Sequence, residues 1–293
     1  MRAPAGTPRA PRPGAYLADR RRRRAIKVAT EAGFYLLLGV LLIAFMFVFY
    51  WMVVTSLKLP REVTVYPPAL VFEPTLMNYR NVLEKTPFFH QLSNSLIVAI
   101  GAVTLAMVVG LPASYAISRY RLKSLALTIL MMRMMPTIVF MLPLFVVYQR
   151  LGLIDTHAGL IFSHLILTVP LIVWIMIGFF EDVPGEVEDQ ARVDGCRRWG
   201  VFWRIALPLS APGIVVTTIL SFITSWNNFV FVLILGGVRT TTLPLAVFNF
   251  MGFEMLDFGG VAAVASMLSL PIIVLTIIVQ RWLVGGLTLG AIK

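Results

Sequence analysis

Phe34–Leu57 reads FYLLLGVLLIAFMFVFYWMVVTSL, 24 residues without one Asp, Glu, Lys or Arg. A helix needs about 20 apolar residues to cross the hydrocarbon of a bilayer, so this stretch is long enough to span it. It exceeds the apolar region of a secretory leader, and no small-residue cleavage site follows. The signature recurs along the chain. Gln91–Ser118, His157–Phe180, Ile205–Val238 and Phe258–Gln280 carry no charge, and Ser124–Gln149 is interrupted by Arg133 alone. The fold class this predicts is all-α: a polytopic membrane protein with six transmembrane helices. Ile205–Val238 is too long for one untilted crossing, and Pro208 and Pro212 place its helix start near Ala211, because proline suits a first helical turn.

The rest of the composition agrees. Of 293 residues 58% are hydrophobic and 13% charged, about half the charged share of a soluble domain. The net charge of +11 is not a nucleic-acid footprint, because the basic residues follow the spans. Nine of the 25 Lys and Arg precede Glu31, three fall in Arg119–Lys123, four in 181–204 and two after Gln280. The alternate loops hold six: Lys58, Arg61, Arg80, Lys85, Arg150 and Arg239. Cytoplasmic loops carry the excess of Lys and Arg, so both termini are expected inside a bacterial or archaeal cytoplasmic membrane. The basic N-terminal flank also suits anionic lipid. A single cysteine, Cys196, excludes a disulfide framework, and His90, His157 and His164 lack metal-ligand spacing. No metal and no bound cofactor are expected.

Three regions follow: a basic arm over 1–32, a six-span domain over 33–282 with a cytoplasmic loop at 181–208, and a tail over 283–293. Residues 1–19, rich in proline and small residues, read as disordered. The loop 236–257 lies outside and keeps Leu243, Pro244, Leu245, Phe248, Phe250 and Phe253, which need a partner or the membrane surface to cover them.

The cytoplasmic loop is the most informative segment: VPGEVEDQARVDGCRRWGVFWRIALP, residues 183–208. Pro184 with Glu186, Glu188 and Asp189 fits the start of a short helix, where acids meet the positive end of the helix dipole. Gly195 fits its end, since glycine readily takes the left-handed cap conformation. Val201, Phe202 and Ile205 then form an apolar stripe on a second helix that meets the next span at a proline. The predicted object is an elbow projecting from the membrane.

These residues resemble the EAA loop of ABC importer permeases. The blocks in register are Asp189-Gln190-Ala191, Asp194-Gly195 and Ile205-Ala206-Leu207-Pro208, with Asp in place of the usual Glu and Gln in place of the first Ala. Asn94-Ser95, Arg133-Met-Met-Pro136 with Leu151-Gly-Leu-Ile-Asp-Thr156, Ser225-Trp-Asn-Asn-Phe229 and the ending from Gly286 to Lys293 resemble the maltose-type carbohydrate permeases, in particular the smaller, six-span subunit of a pair. The resemblance implies half of a translocation pathway, a second permease subunit, a cytoplasmic ATPase dimer and an extracytoplasmic solute-binding protein. It implies an ATPase-coupling set of Glu188, Asp189, Ala191, Asp194, Gly195, Ile205, Leu207 and Pro208, with Glu188 and Asp189 facing a basic patch. It also implies that the loop before the last span, with Thr241, Leu243, Pro244 and Phe248, reaches the binding protein, and that the tail lies between the ATPase subunits.

Two absences fit. There is no phosphate-binding Gly-x4-Gly-Lys-Ser/Thr loop, so ATP and Mg belong on a partner and the chain is expected to catalyse no bond-making. No Asp or Glu falls within a span, where ion-coupled carriers commonly place ionisable groups. Candidates for the substrate pathway are Asn94, Arg133, Trp226, Asn227 and Asn228. Arg133 either lines that path or pairs with buried carbonyls or a neighbouring subunit. Trp226, Asn227 and Asn228 either hold a sugar or bind neighbouring helices. The alternatives to a sugar are a polyol, glycerol phosphate or other small solute, or a secondary carrier or channel working without ATP.

Overall fold

The computed structural model describes residues 13–69, 71–251 and 257–289. The described residues are helical apart from turns and loops, and they divide into two units that part between Val54 and Thr55. The first unit is most of α1 (Pro13–Ser56). Its stretch Ile26–Ser56 is long and apolar enough to cross a membrane. Residues 13–19, expected to be disordered, belong to α1. Pro13 can occupy a first turn, and the Ala, Leu and Arg that follow are good helix formers. Residues 1–12 of the expected disordered arm lie outside the described residues.

The second unit begins with α2 (Pro60–Val63) and α3 (Met77–Lys85) and continues into α4 (Phe88–Arg119). Next come α5 (Lys123–Met134) and α6 (Ile138–Leu151), then α7 (His157–Glu181). The elbow follows as α8 (Gly185–Val193), α9 (Arg198–Val201), a π turn over Phe202–Ala206 and α10 (Leu207–Leu209). The chain then forms α11 (Ala211–Trp226), α12 (Val230–Leu235), α13 (Leu243–Ala246) and α14 (Phe258–Leu289).

Among the described residues, four helices are each long and apolar enough to span: Ile26–Ser56, Phe88–Arg119, His157–Glu181 and Phe258–Ile278. The other two runs bend, by 91° between Lys123–Met134 and Ile138–Leu151 and by 77° between Arg198–Leu209 and Ala211–Trp226. Six spans result if each bent pair is one. The first bend has a local cause: Pro136 forces the preceding Met135 out of the helical region, to φ −69° and ψ 133°. At the second, the helix restarts at Ala211 with Pro212 in its first turn, where the sequence placed it. The remainder of that long run, after Asn227-Asn228-Phe229, is the separate short α12.

α4 and α7 form the centre of this unit, and α11 packs against both. Their close approach depends on missing side chains. A Cβ on Gly101 would sit 2.7 Å from Ile161 Cδ1, and one on Gly110 would sit 2.7 Å from Ile172 Cγ2. Lipid tails are as apolar as leucine, so small residues that let backbones approach supply the packing that holds such helices together. Ala99, Ala102 and Ala106, on the Gly110 side of α4, are also buried. Three apolar clusters result. One joins Val82, Phe88 and Trp226 to Leu243 and Val264. A second joins Val98, Tyr148 and Leu160 to Phe231 and Leu235. The third, at the elbow, gathers Ile172, Met176, Phe180, Phe202, Ala206 and Leu207.

Candidate functional site

The elbow starts at Pro184, whose φ of −59° sets up the entry to α8, with Glu186 and Glu188 in the first turn. Its far end is a glycine cap. Gly195 takes φ +92°, its N–H donates to Arg192 O (3.0 Å), and the Cys196 N–H donates to Ala191 O (2.9 Å). This bond pair is the Schellman arrangement, which satisfies carbonyls a helix end would otherwise orphan. The next helical piece ends with its apolar side inward: Val201, Phe202, Ala206 and Leu207 are buried, Ile205 is half-buried, and Pro208 is exposed at the turn into α11.

Glu188 is the centre of the arrangement, and it is not the surface anion expected. It is 1% exposed. Oε1 accepts from Arg119 Nε (2.8 Å) and Nη2 (2.6 Å), and Oε2 accepts from the Tyr115 hydroxyl (2.8 Å). Arg192 Nη2 lies 3.8 Å from Oε2, and Arg119 Nη2 also donates to Val183 O (3.2 Å). The Tyr115 ring packs edge-on to Phe180 (5.5 Å) and against Phe202 (5.1 Å), with the Arg119 guanidinium 5.7 Å from its centroid. A carboxylate with both oxygens charge-matched and hydrogen-bonded tolerates burial. The elbow is thereby fastened to the end of α4.

The outward side of the elbow differs. Asp189 is exposed and pairs with its own helix neighbour Arg192 (3.1 Å). Val193, Trp199 and Trp203 are exposed apolar side chains, while Ala191 is buried and Asp194 is an exposed helix end. A face with two exposed tryptophans is unusual for solvent and suited to a partner. Sequence reasoning missed this pair and missed Tyr115 and Arg119. The tryptophan spacing was a visible signal. The pairing across 69 residues was not.

At the opposite end of the bundle, the loop before α14 is stitched down. Asp155 Oδ1 accepts from the Thr240 N–H (3.0 Å) and hydroxyl (2.8 Å), and Oδ2 accepts from the Arg239 N–H (3.3 Å) and Nε (3.4 Å). Burial alone would raise the Asp155 carboxyl, but these hydrogen bonds from Thr240 and Arg239 outweigh it and hold the group below its usual range. Asn94 Nδ2 donates to Arg239 O (2.9 Å) and Thr241 O (3.0 Å), while Asn94 Oδ1 accepts from His157 Nε2 (2.8 Å). Leu243 N–H donates to Ser95 Oγ (2.8 Å).

These bonds revise two expectations. Asn94 is buried, with Nδ2 engaged by the loop and Oδ1 by His157 at the start of α7, so neither amide atom is free. Leu243 and Pro244 are buried within the bundle and do not protrude, since α4 and α14 already cover them; Thr241 is half-buried and Phe248 is exposed beside Phe229. Phe253 lies outside the described residues. The remaining pathway candidates do not converge. Trp226 is buried, stacks on Phe222 (5.5 Å) and donates Nε1–H to Leu268 O (3.2 Å). Asn228 Oδ1 accepts from Phe231 N–H (3.2 Å). Asn227 is exposed, and Arg133 is exposed in the last turn of α5, beside the 91° bend. Among the described residues no His, Cys, Asp or Glu group could hold a metal ion.

Residues 102–288 match the family model for the inner membrane component of binding-protein-dependent transport systems. The chain belongs to that family. As a transport component it is not an enzyme, and it is a multi-pass membrane protein. Among its relatives, a probable ABC transporter permease of Sinorhizobium fredii, y4oR, is 35% identical over 256 residues, 87% of this chain and 92% of the relative. The trehalose transport permease SugB of Mycobacterium tuberculosis is 35% identical over 75% of this chain and 82% of the relative. The trehalose/maltose permease MalG of Thermococcus litoralis is 33% identical over 88% and 96%. In fold, this permease is similar to a chain of a bacterial ABC transporter that imports the acidic polysaccharide alginate. That match has a TM-score of 0.69 at 21% identity and covers 89% of this chain and 97% of the other.

Proposed function

We propose that this permease forms half of the translocation pathway of an ATP-driven importer for a sugar or oligosaccharide. Relatives named for trehalose, diacetylchitobiose and trehalose/maltose support the substrate class. The observation that carries the mechanism is the Glu188–Arg119–Tyr115 clamp. It makes the elbow and the end of α4 one mechanical piece, which is what a subunit moved by a partner requires. In this reading the elbow faces the cytoplasm, as do both termini, and docks on an ATPase dimer that holds ATP and Mg. Asp189, Val193, Trp199 and Trp203 offer the docking face. Gly195 sets its angle, while Ala191, Ile205 and Leu207 seat it on the bundle and Pro208 turns it into α11. A second permease subunit completes the pathway and a solute-binding protein delivers the sugar from outside, meeting the loop around Thr241 and Phe248.

The test is reconstitution of the complete transporter in proteoliposomes with candidate solutes and their binding protein. A di- or oligosaccharide should raise ATP hydrolysis and accumulate inside. Stimulation by a polyol or glycerol phosphate, with none by sugars, would replace the substrate class. Uptake without any ATPase subunit would replace the mechanism.

A further inference from the structure

Where α4 ends, the chain turns through Arg121, a non-glycine residue at φ +54°. The Leu122 N–H donates to Ile117 O (3.0 Å) and the Arg121 N–H to Ser118 O (3.3 Å), so Arg121 holds the left-handed cap position that glycine normally fills. An L side chain is disfavoured there, and such backbone outliers cluster at functional sites. Arg121 lines a pocket of about 170 Å³ between the end of α4, the start of α5 and the end of α7. The walls are Ile117, Leu122, Ala126 and Ile177, and the charged members are Arg121, Lys123 and Glu181. Among the described residues none of these three is in an ion pair, and all are exposed. The next acid, Asp182, is not among the lining residues. Beyond the pocket, Leu125, Leu127 and Met131 of α5 are exposed apolar side chains. The pocket therefore has charge at its mouth and a greasy floor, at the boundary where apolar helix gives way to charged turn.

We infer that this pocket binds the head of an aminophospholipid, with Arg121 and Lys123 on the phosphate, Glu181 on the primary ammonium, and the acyl chain along α5. Two cations and one anion around one cavity match a headgroup carrying a phosphate and an ammonium. A purely anionic headgroup would meet Glu181 as a like charge. Basic pockets between membrane helices are known lipid-headgroup sites, and the carboxylate adds the discrimination. The proposal is independent of the solute and of which side of the membrane this end faces.

The test uses the full chain in its assembled complex, equilibrated with vesicles of phosphatidylethanolamine, phosphatidylcholine and phosphatidylglycerol in equal amounts with matched acyl chains. Retained lipid is then counted by native mass spectrometry. Phosphatidylethanolamine should be retained over both others, because a trimethylated ammonium cannot donate to Glu181 and a glycerol head brings no cation. Arg121→Gly with Lys123→Gln should lower its retention by about thirtyfold, from two surface cations lost. The glycine keeps the turn conformation, so the fold is not at risk from that change. Glu181→Gln should abolish the preference over phosphatidylglycerol while phosphate binding persists. Equal retention of all three lipids by the unaltered protein would overturn the proposal. So would full retention by the double variant, or displacement of the lipid by millimolar inorganic phosphate, which would mark a site for a soluble anion.

Discussion

Replacing Glu188 with Gln tests the clamp with little change of shape. The substitution removes the charge from a side chain 1% exposed and leaves Arg119, only 20% exposed, without its counterion. Breaking a buried ion pair from one side costs about 3–5 kcal/mol. Here the guanidinium keeps Val183 O and the Tyr115 ring, and the amide oxygen can still accept one bond, so about 2–3 kcal/mol is the expected loss. At about 1.4 kcal/mol per factor of ten, the elbow should open about 30–150 times more often. The assay is hydrogen exchange of the amides from Val187 to Val193 in the reconstituted complex, read beside solute-stimulated ATP hydrolysis. Exchange in α8 should accelerate by that factor while the α4 and α7 amides around Ala102 and Met176 stay protected. ATP hydrolysis should lose its dependence on solute. Arg119→Gln should act alike, and the double variant should cost little more than either single change, because both remove one shared interaction. Unchanged exchange in Glu188→Gln, or strictly additive effects in the double variant, would refute the clamp.

Other outcomes follow from the same geometry. Gly195→Val places a β-branched residue at φ +92°, so uptake should fall while membrane insertion, measured by protease protection, stays normal. Asp189→Lys reverses an exposed charge on the proposed docking face, so it should weaken co-purification with the ATPase and leave α8 exchange unaltered. Because hydrogen bonds hold the folded Asp155 carboxyl below its usual range, its contribution to closing the loop is complete at neutral pH. It is lost as pH falls through the lowered folded value. Asp155→Asn should loosen residues 237–241 at neutral pH as acid does in the unaltered protein, measured by exchange of the Thr240 amide. Cysteine at Thr241, with Cys196 replaced by Ser, should react with an impermeant reagent from outside intact spheroplasts and be shielded when binding protein is held in the complex.

The sequence by itself determined the membrane class, the runs long enough to span, the restart of helix at Ala211 and the glycine cap at Gly195. Each of these depends on composition or on neighbours within a few residues: an apolar run partitions wherever it is, and a backbone at positive φ favours glycine whatever surrounds it. Only the tertiary structure decided what Glu188, Asn94, Trp226 and Leu243 do. Each looked available in the sequence, and each is engaged by a group far along the chain: Arg119, Thr241, Leu268 and Ser95. Burying a polar group without a hydrogen bond is costly, so the roles of these residues are set by whichever distant segment arrives beside them. The 91° bend had a local cause in Pro136, but its size did not follow from that residue, since a proline fixes where a helix breaks and packing fixes the direction in which it continues.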